Sequence, residues 1–361
     1  MSSHQRFRLQ SLDAFRGITV AGMLLVNADG LSPSVHPWLA HTYWNGCSPA
    51  DWIFPFFLFI IGVSMAFTFA KYTQTNRPTR SLYWRILKRS IVLFALGLFI
   101  NAIGIHTLSQ LRLTGVLQRI SIAYLCAAII VLNLPRKGQW GLSALMLLGY
   151  WVAYTNFPVP EPVMGVDSVA PEAIGTFGPM SWVNMMPTTV TVLLGYFCGG
   201  WLWSSSIQKQ IQTSSQSLKL AMFGLSSIVL SQFWGIWLPI NKKLWTSSYT
   251  LLTVGLALVL LAILYELMEV RGLKQWSHPL QVLGLNPIVV YVGSEVTIRL
   301  LETVHIRSGD QSLSSYLWLK QEFFHSHLNT MVAGVVFSFF MLFLWWIAAY
   351  ALYRRRCFIA V

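Results

Sequence analysis

Apolar runs of bilayer length recur ten times along this chain, over residues 12–31, 52–70, 84–105, 113–134, 140–157, 182–203, 218–238, 247–267, 280–300 and 328–350. Each is close to the ~20 residues that an α-helix needs to cross the hydrocarbon. No water reaches that depth to take up backbone N–H and C=O groups. Such a run therefore has one stable solution, a helix that satisfies its own hydrogen bonds. Most of the runs lack the polar face of a helix lying on a soluble core. The expected fold class is all-α, a polytopic membrane helix bundle of about ten transmembrane helices. Only 10% of the residues are charged, against about 25% in soluble domains. No internal repeat or low-complexity segment divides the chain, so residues 1–361 are expected to form a single transmembrane domain.

The formal net charge is +13. In a soluble protein that excess would point to nucleic acid. Here the basic residues sit in short connections between apolar runs, where topology accounts for them, and no nucleic-acid partner is expected. With the N-terminus inside, seventeen Lys and Arg fall on the inside and five outside, the other three lying within runs. This asymmetry predicts both termini in the cytoplasm. Three long connections then face outward, 32–51, 158–181 (with Glu161, Asp167 and Glu172) and 302–327. Connections this long are uncommon unless they have a function. An elaborated site is expected on the outer face.

Cys47, Cys126, Cys198 and Cys357 form no CxxC pair, so neither a disulfide framework nor a metal site is expected. The first apolar run reads as a retained span, not a cleaved leader. The G-x-S-x-G elbow, the Walker A loop, H-E-x-x-H and the dinucleotide fingerprint are all missing.

Ionisable groups at membrane depth are costly, and each is a functional candidate. In "SLDAFRGITVAGMLLVNADG", Asp13 and Arg16 share a helical face, and Asn27 lies about three turns further on. "RLTGVLQRISIAY" places Gln118 and Arg119 inside the fourth run, where the guanidinium keeps its charge and needs a partner or a ligand. Glu295 and Arg299 have the i,i+4 spacing of an ion pair, and Pro187 is placed to interrupt the sixth run. Asn241, Lys242 and Lys243 stand just before the eighth run. Gly195, Gly199 and Gly200 read as close helix packing.

The stretch "AHTYWNGCSPADWIFPFFLFIIGVSM" puts polar groups at the mouth of a span. His41 is the natural proton acceptor near neutral pH. Asp51 at the start of the run would orient it and stabilise its charged form. Asn27 and Asn45 could donate to a developing oxyanion. Such groups suit acyl transfer to an amine or hydroxyl, but periodicity alone does not separate an enzyme from a transporter.

"SLDAFRG" followed by "VN", then "H…WNG" and "ADWIFPFFLFIIG", resembles the heparan-alpha-glucosaminide N-acetyltransferase family. "RLTGVLQRISIAY", "PEAIGTFGPM", "LPINKKLWTSSYTLLTVG" and "LGLNPIVVYVG" extend the likeness from Ser11 to Val361. The resemblance implies a multispanning enzyme with acetyl-CoA as acyl donor and an amino sugar or glycan as acceptor. It matches His41 to the family's catalytic histidine, Asp51 to its "AD" aspartate and Asn27 to its "VN" asparagine. It places Arg16, Gln118, Arg119, Asn241, Lys242 and Asn286 in the donor pocket. Ala170 stands where the family usually has aspartate, and Pro287 where serine is common. The short segment ahead of "SLDAFRG" resembles the bacterial, ten-span form, which implies an inner-membrane protein whose site opens to the periplasm, with a homodimer and membrane lipid as further partners. The expected reaction is acetyl transfer with His41 as general base, either directly or through an acetyl-histidine. A sugar permease is the alternative, and a scaffold within a glycan-assembly complex is a third.

Overall fold

A computed structural model of the protein describes residues 9–29, 35–74, 79–105, 111, 113, 115–156, 182–209, 213–308, 311–325 and 328–358. The long loop 158–181, with Glu161, Asp167, Ala170 and Glu172, lies outside the described residues, as does Arg112. The fold is an all-α membrane bundle. Its helices are α1 (Gln10–Asp29), α2 (Pro49–Gln74), α3 (Arg80–Ala102), α4 (Val116–Asn133), α5 (Arg136–Asn156), α6 (Met185–Lys209), α7 (Ser214–Gly235) and α8 (Ser247–Tyr265), followed by α9 (His278–Leu285), α10 (Pro287–Thr303), the short α11 (Ser315–Lys320) and α12 (Thr330–Arg354). A π-helical turn, Glu266–Val270, continues α8. A two-stranded antiparallel hairpin, β1 (His305–Ser308) and β2 (Gln311–Ser314), precedes α11.

A helix stands at each of the ten expected runs. Six of them, among the described residues, are long and apolar enough to cross a membrane, and α9 with α10 makes a seventh as one span broken by 70°. The runs over α1, α3 and α5 are also helical but carry more polar residues. The break has a local cause. Pro287 opens α10 and cannot donate to the turn before it, and it biases Asn286 away from helical geometry. Asn286 sits at φ −126° and ψ 52°, and its amide donates to the Cys357 carbonyl at 3.0 Å. Pro187, by contrast, falls in the first turn of α6, where an absent N–H costs nothing, and the helix runs on.

Small residues set the helix seams. On the α2–α6 seam, a Cβ at Gly195 would collide with the Phe59 carbonyl, and one at Gly62 with that of Val192. Gly199 faces Val63 in the same way. Gly17 and Gly284 bring α1 and α9 equally close.

Successive long helices run in alternate directions, giving the bundle two ends. One end carries the 35–48 loop, the 236–246 loop and α11. The other carries most of the described basic residues, among them Arg80, Arg85, Lys88, Arg136, Lys219 and Arg271. At the first end α11 is docked by a buried ion pair, Lys320 Nζ to Asp29 Oδ1 at 2.7 Å, and by the Tyr316 hydroxyl donating to the Ala28 carbonyl at 2.7 Å.

Gly195→Ala is expected to cost about 1–3 kcal/mol of stability through overpacking, read as a lower Tm in detergent. Gly149→Ala, where an added Cβ meets nothing within 4 Å, is the control and should be neutral or slightly stabilising.

Candidate active site

The site begins as a helix cap. "SPAD" supplies Ser48 before α2, Pro49 at its first position and Asp51 at its third, an N-terminal signature in which serine and acid satisfy each other's backbone donors. Asp51 N donates to the Ser48 carbonyl at 2.9 Å. Asp51 Oδ2 accepts from Ser48 N at 2.9 Å, from Ser48 Oγ at 3.0 Å and from Thr42 N at 3.3 Å. The Asp51 carboxylate is buried, and the cap occupies only one of its oxygens.

The other oxygen faces His41 and Lys242. His41 Nδ1 lies 2.8 Å from Asp51 Oδ1. Lys242 Nζ donates to the same atom at 3.1 Å and lies 3.0 Å from His41 Nδ1 and 3.4 Å from Nε2. Two potential cations therefore converge on one buried carboxylate oxygen, while the His41 side chain remains 46% exposed and accessible to a substrate. Burial pushes the Lys242 ammonium below the usual lysine range; Asp51 pulls it back up, and the charge of Arg119 pushes it down again.

Two loops are clasped to make this arrangement. Gly46 N donates to the Ile240 carbonyl at 2.8 Å, and Gly46 takes φ +112°, a conformation that favours glycine. Asn241 Nδ2 donates to Asn45 Oδ1 at 3.2 Å, and Asn241 Oδ1 accepts from Leu244 N at 3.0 Å. Trp245 closes the second loop at φ +55°, a strained geometry for a bulky residue. Its buried ring is held edge-on by Phe54 and Tyr249. The Tyr249 hydroxyl donates to the Asp51 carbonyl at 2.7 Å, pinning the first turn of α2 to α8.

The residues singled out in the sequence divide into groups. His41, Asp51, Asn45, Asn241 and Lys242 come together. Arg119 lies next to them, its guanidinium 5.7 Å from the Trp245 ring centre and without an ion pair among the described residues. Gln118 is buried beside it, accommodated by Gly97 and Gly115, and its Nε2 has no hydrogen-bond partner there. Asn27 is elsewhere, donating to Glu295 Oε1 on α10; Glu295 takes this amide, and no Glu295–Arg299 ion pair is found among the described residues. Arg16 is at the basic end, bonded to Asp13 at 3.2 Å, to the Gly284 carbonyl at 3.3 Å and to Ser64 Oγ at 2.7 Å. Asn286 also lies at the basic end, against the residues that follow α12. A cavity of about 240 Å³ extends between α1, α2, α3, α4 and α10, with Arg16, Arg89 and Thr68 toward the basic end and Met23, Phe57 and Val116 toward the other. The Arg89 guanidinium lies over the Tyr124 ring at 4.7 Å.

Ser48, Arg89, Trp245 and Tyr249 were not singled out in the sequence. Ser48 could have been found from its spacing to Asp51. The other three gain meaning only from their neighbours in space.

A family model described as heparan-alpha-glucosaminide N-acetyltransferase, catalytic, matches residues 8–233, more than half of the chain. The chain belongs to this family. The match includes His41, Asp51 and Arg119 but stops before Lys242. Among similar proteins is the heparan-alpha-glucosaminide N-acetyltransferase of Mus musculus, 26% identical over 420 residues that cover 97% of this chain and 60% of the relative. The Homo sapiens protein of the same name is 26% identical over 421 residues, covering 97% and 59%. The chain thus spans about three fifths of the length of these relatives.

Cys47 belongs to the first of these loops, and burial, reinforced by the Asp51 charge, pushes its thiol up to about 12. The thiolate is the nucleophile, and at pH 8 it would be about one part in ten thousand of such a group. Maleimide labelling of the folded protein should therefore be far slower at Cys47 than at exposed Cys357, and the two should react alike after denaturation. Fast labelling of Cys47 in the native state would contradict this geometry.

Proposed function

We propose that this protein is a membrane acetyltransferase that moves the acetyl group of acetyl-CoA to the nitrogen of an amino sugar or amino-sugar glycan, residues 1–361 acting as one domain. The observation that carries the reading is the His41–Asp51–Lys242 cluster at the mouth of α2, in a chain of this family. The sugar-permease alternative is not favoured, because the matched family is described by a catalytic domain.

In this reading His41 keeps a proton on Nδ1, directed at Asp51, and presents Nε2 to the acceptor amine. The amine nitrogen attacks the thioester carbonyl as Nε2 removes its proton. The C–S bond of the tetrahedral intermediate then breaks, and the CoA sulfur leaves with the proton that His41 took. Asn45, held in the His41 cluster by Asn241, is the better placed donor for the oxyanion, since Asn27 lies outside that cluster on Glu295. Lys242 acts within the cluster, not on the donor: it is the second partner of Asp51 Oδ1 and helps to hold the carboxylate that orients the His41 ring. Direct transfer, without an acetyl-histidine, needs no second nucleophile and is preferred.

The donor is assigned to the cavity of about 240 Å³. From Phe57 to Phe69 it follows α2 for roughly 18 Å, a slot suited to the slender arm of a CoA thioester. Arg16 and Arg89 at its basic end suit phosphate oxygens, which guanidinium groups bind by charge-assisted hydrogen bonds. The positive-inside rule assigns the basic end to the cytoplasm. His41 then opens to the periplasm of a bacterial inner membrane, with donor and acceptor arriving from opposite sides.

Purified protein given labelled acetyl-CoA and glucosamine should form N-acetylglucosamine. His41→Ala should lower turnover by about 10²–10⁴-fold with an unchanged Tm; unchanged turnover would remove His41 from the chemistry. Sugar accumulation in proteoliposomes without acetylation would favour a permease instead.

Lys242→Met should lower turnover by about 10–100-fold with acetyl-CoA affinity unchanged, because Asp51 Oδ1 loses one of the two partners that fix it against the His41 ring. Unchanged turnover, with acetyl-CoA affinity lost instead, would return Lys242 to the donor pocket.

A further inference from the structure

A second cavity, of about 410 Å³, has no part in the proposed reaction. It lies between α5, α6, α7 and α8 and is walled by Trp140, Phe197, Trp201, Leu220, Phe223 and Val254. Its origin is in the packing. α7 packs mainly on α8, by a tight seam where Gly224 and Gly255 face each other, and its far end meets α5 through Trp234 and Trp151, with ring centres 5.9 Å apart. Nearer the basic end the α5–α6 wall stands apart from α7, and a cleft remains. Most of α7 is exposed, Phe223, Leu225 and Leu230 included, as a face turned toward hydrocarbon would be.

Arg136, the first residue of α5, stands at the basic end of this cleft. Its guanidinium lies against Gly200, 4.7 Å from the Phe197 ring centre and 5.4 Å from that of Tyr196. Its one hydrogen bond among the described residues is a long one, to the Phe197 carbonyl at 3.4 Å, and no carboxylate there pairs with it. Trp140 stacks on Phe197 with ring centres 4.0 Å apart, giving the cleft a flat aromatic wall just below the charge.

We propose that this cleft holds one phospholipid of the leaflet at the basic end, with its phosphate on Arg136 and an acyl chain laid along Trp140, Phe197 and Trp201. Two independent features select that occupant. Below Arg136 the cleft walls are apolar apart from Ser227, whose hydroxyl donates to the Leu251 carbonyl, so little is left to order water, and chain methylenes fill it with dispersion contacts. A guanidinium without a carboxylate calls for an anion, and phosphate oxygens match its planar donors. The arginine is at one end of the cleft and the apolar walls extend from it toward mid-membrane, the polarity profile of a phospholipid that enters headgroup first from its own leaflet. Anionic headgroups are favoured further by the basic residues of that end. The proposal does not depend on the reaction assigned above.

The test is native mass spectrometry of the full chain released from nanodiscs of phosphatidylglycerol or phosphatidylcholine. Wild type should retain one lipid per chain, with preference for phosphatidylglycerol. Arg136→Gln should reduce retention about tenfold, the loss of one charge-assisted contact, and Arg136→Lys should keep most of it. Phospholipids brominated on the acyl chain should quench wild-type tryptophan fluorescence more than that of Trp140→Phe, which reports the chain separately from the headgroup. Equal retention by wild type and Arg136→Gln, or quenching that Trp140→Phe does not change, would overturn the assignment. So would a lipid-free dimer that buries α7, which would make the cleft a contact between copies.

Discussion

The Asp51 carboxylate does two jobs with its two oxygens. Oδ2 closes the cap of α2 through Ser48 and Thr42, so its position is tied to the start of a long, buried helix. Oδ1 is left to meet His41 and Lys242. A buried carboxylate needs charge or hydrogen bonds on both oxygens, and the cap supplies only half of them. The histidine and the lysine complete the set. They come from loops nearly two hundred residues apart, and the carboxylate's need for partners gathers both at the mouth of a membrane helix. The strained Trp245 backbone and the Tyr249 bond to the Asp51 carbonyl hold the second loop and the first turn of α2 in register.

The bilayer shapes what surrounds this cluster. Lipid tails offer no hydrophobic drive between helices, so contact depends on close backbone approach. Gly62, Gly195 and Gly199 provide it where α2, the helix that carries Asp51, meets α6. The mouth of α2 is thereby fixed from below as well as by its cap. Where large side chains keep helices apart, cavities remain. One runs between α1, α2, α3, α4 and α10 and has arginines toward the basic end; the other opens between α7 and the α5–α6 wall. Both pair an apolar length with a guanidinium, which is the polarity of a molecule that has a phosphate at one end and a slender body behind it.

Much of the fold was legible in the sequence because the bilayer leaves an apolar run few options. A helix stands at each of the ten runs, although the break at Pro287 in the ninth was not anticipated. The exceptions have local reasons: Pro187 does not interrupt α6, since it falls in the first turn, and the hairpin and α11 within the connection 302–327 are too short to leave a periodic trace. His41 and Asp51 were legible as a pair because ten residues separate them and one opens a helix. Arg119 was legible as a charge in need of a partner, but not as a neighbour of Trp245.

What the sequence by itself determined is the all-α membrane bundle, the charge asymmetry of its two ends and the family motifs that mark His41, Asp51 and Asn27. Each is written in local composition or spacing, and each survives in any packing of the helices. Only the tertiary structure decided that Lys242 shares the oxygen of Asp51 with His41, that Asn45 is held by Asn241, and that the Asn27 amide is bonded to Glu295 of α10. It also decided that Arg16 and Asn286 lie at the end opposite the histidine, with Arg89 facing the same cavity as Arg16. Those facts depend on which helix faces which. In a bilayer that choice is made by glycine seams and a few buried polar bonds between residues far apart in the chain, and neither periodicity nor composition records it.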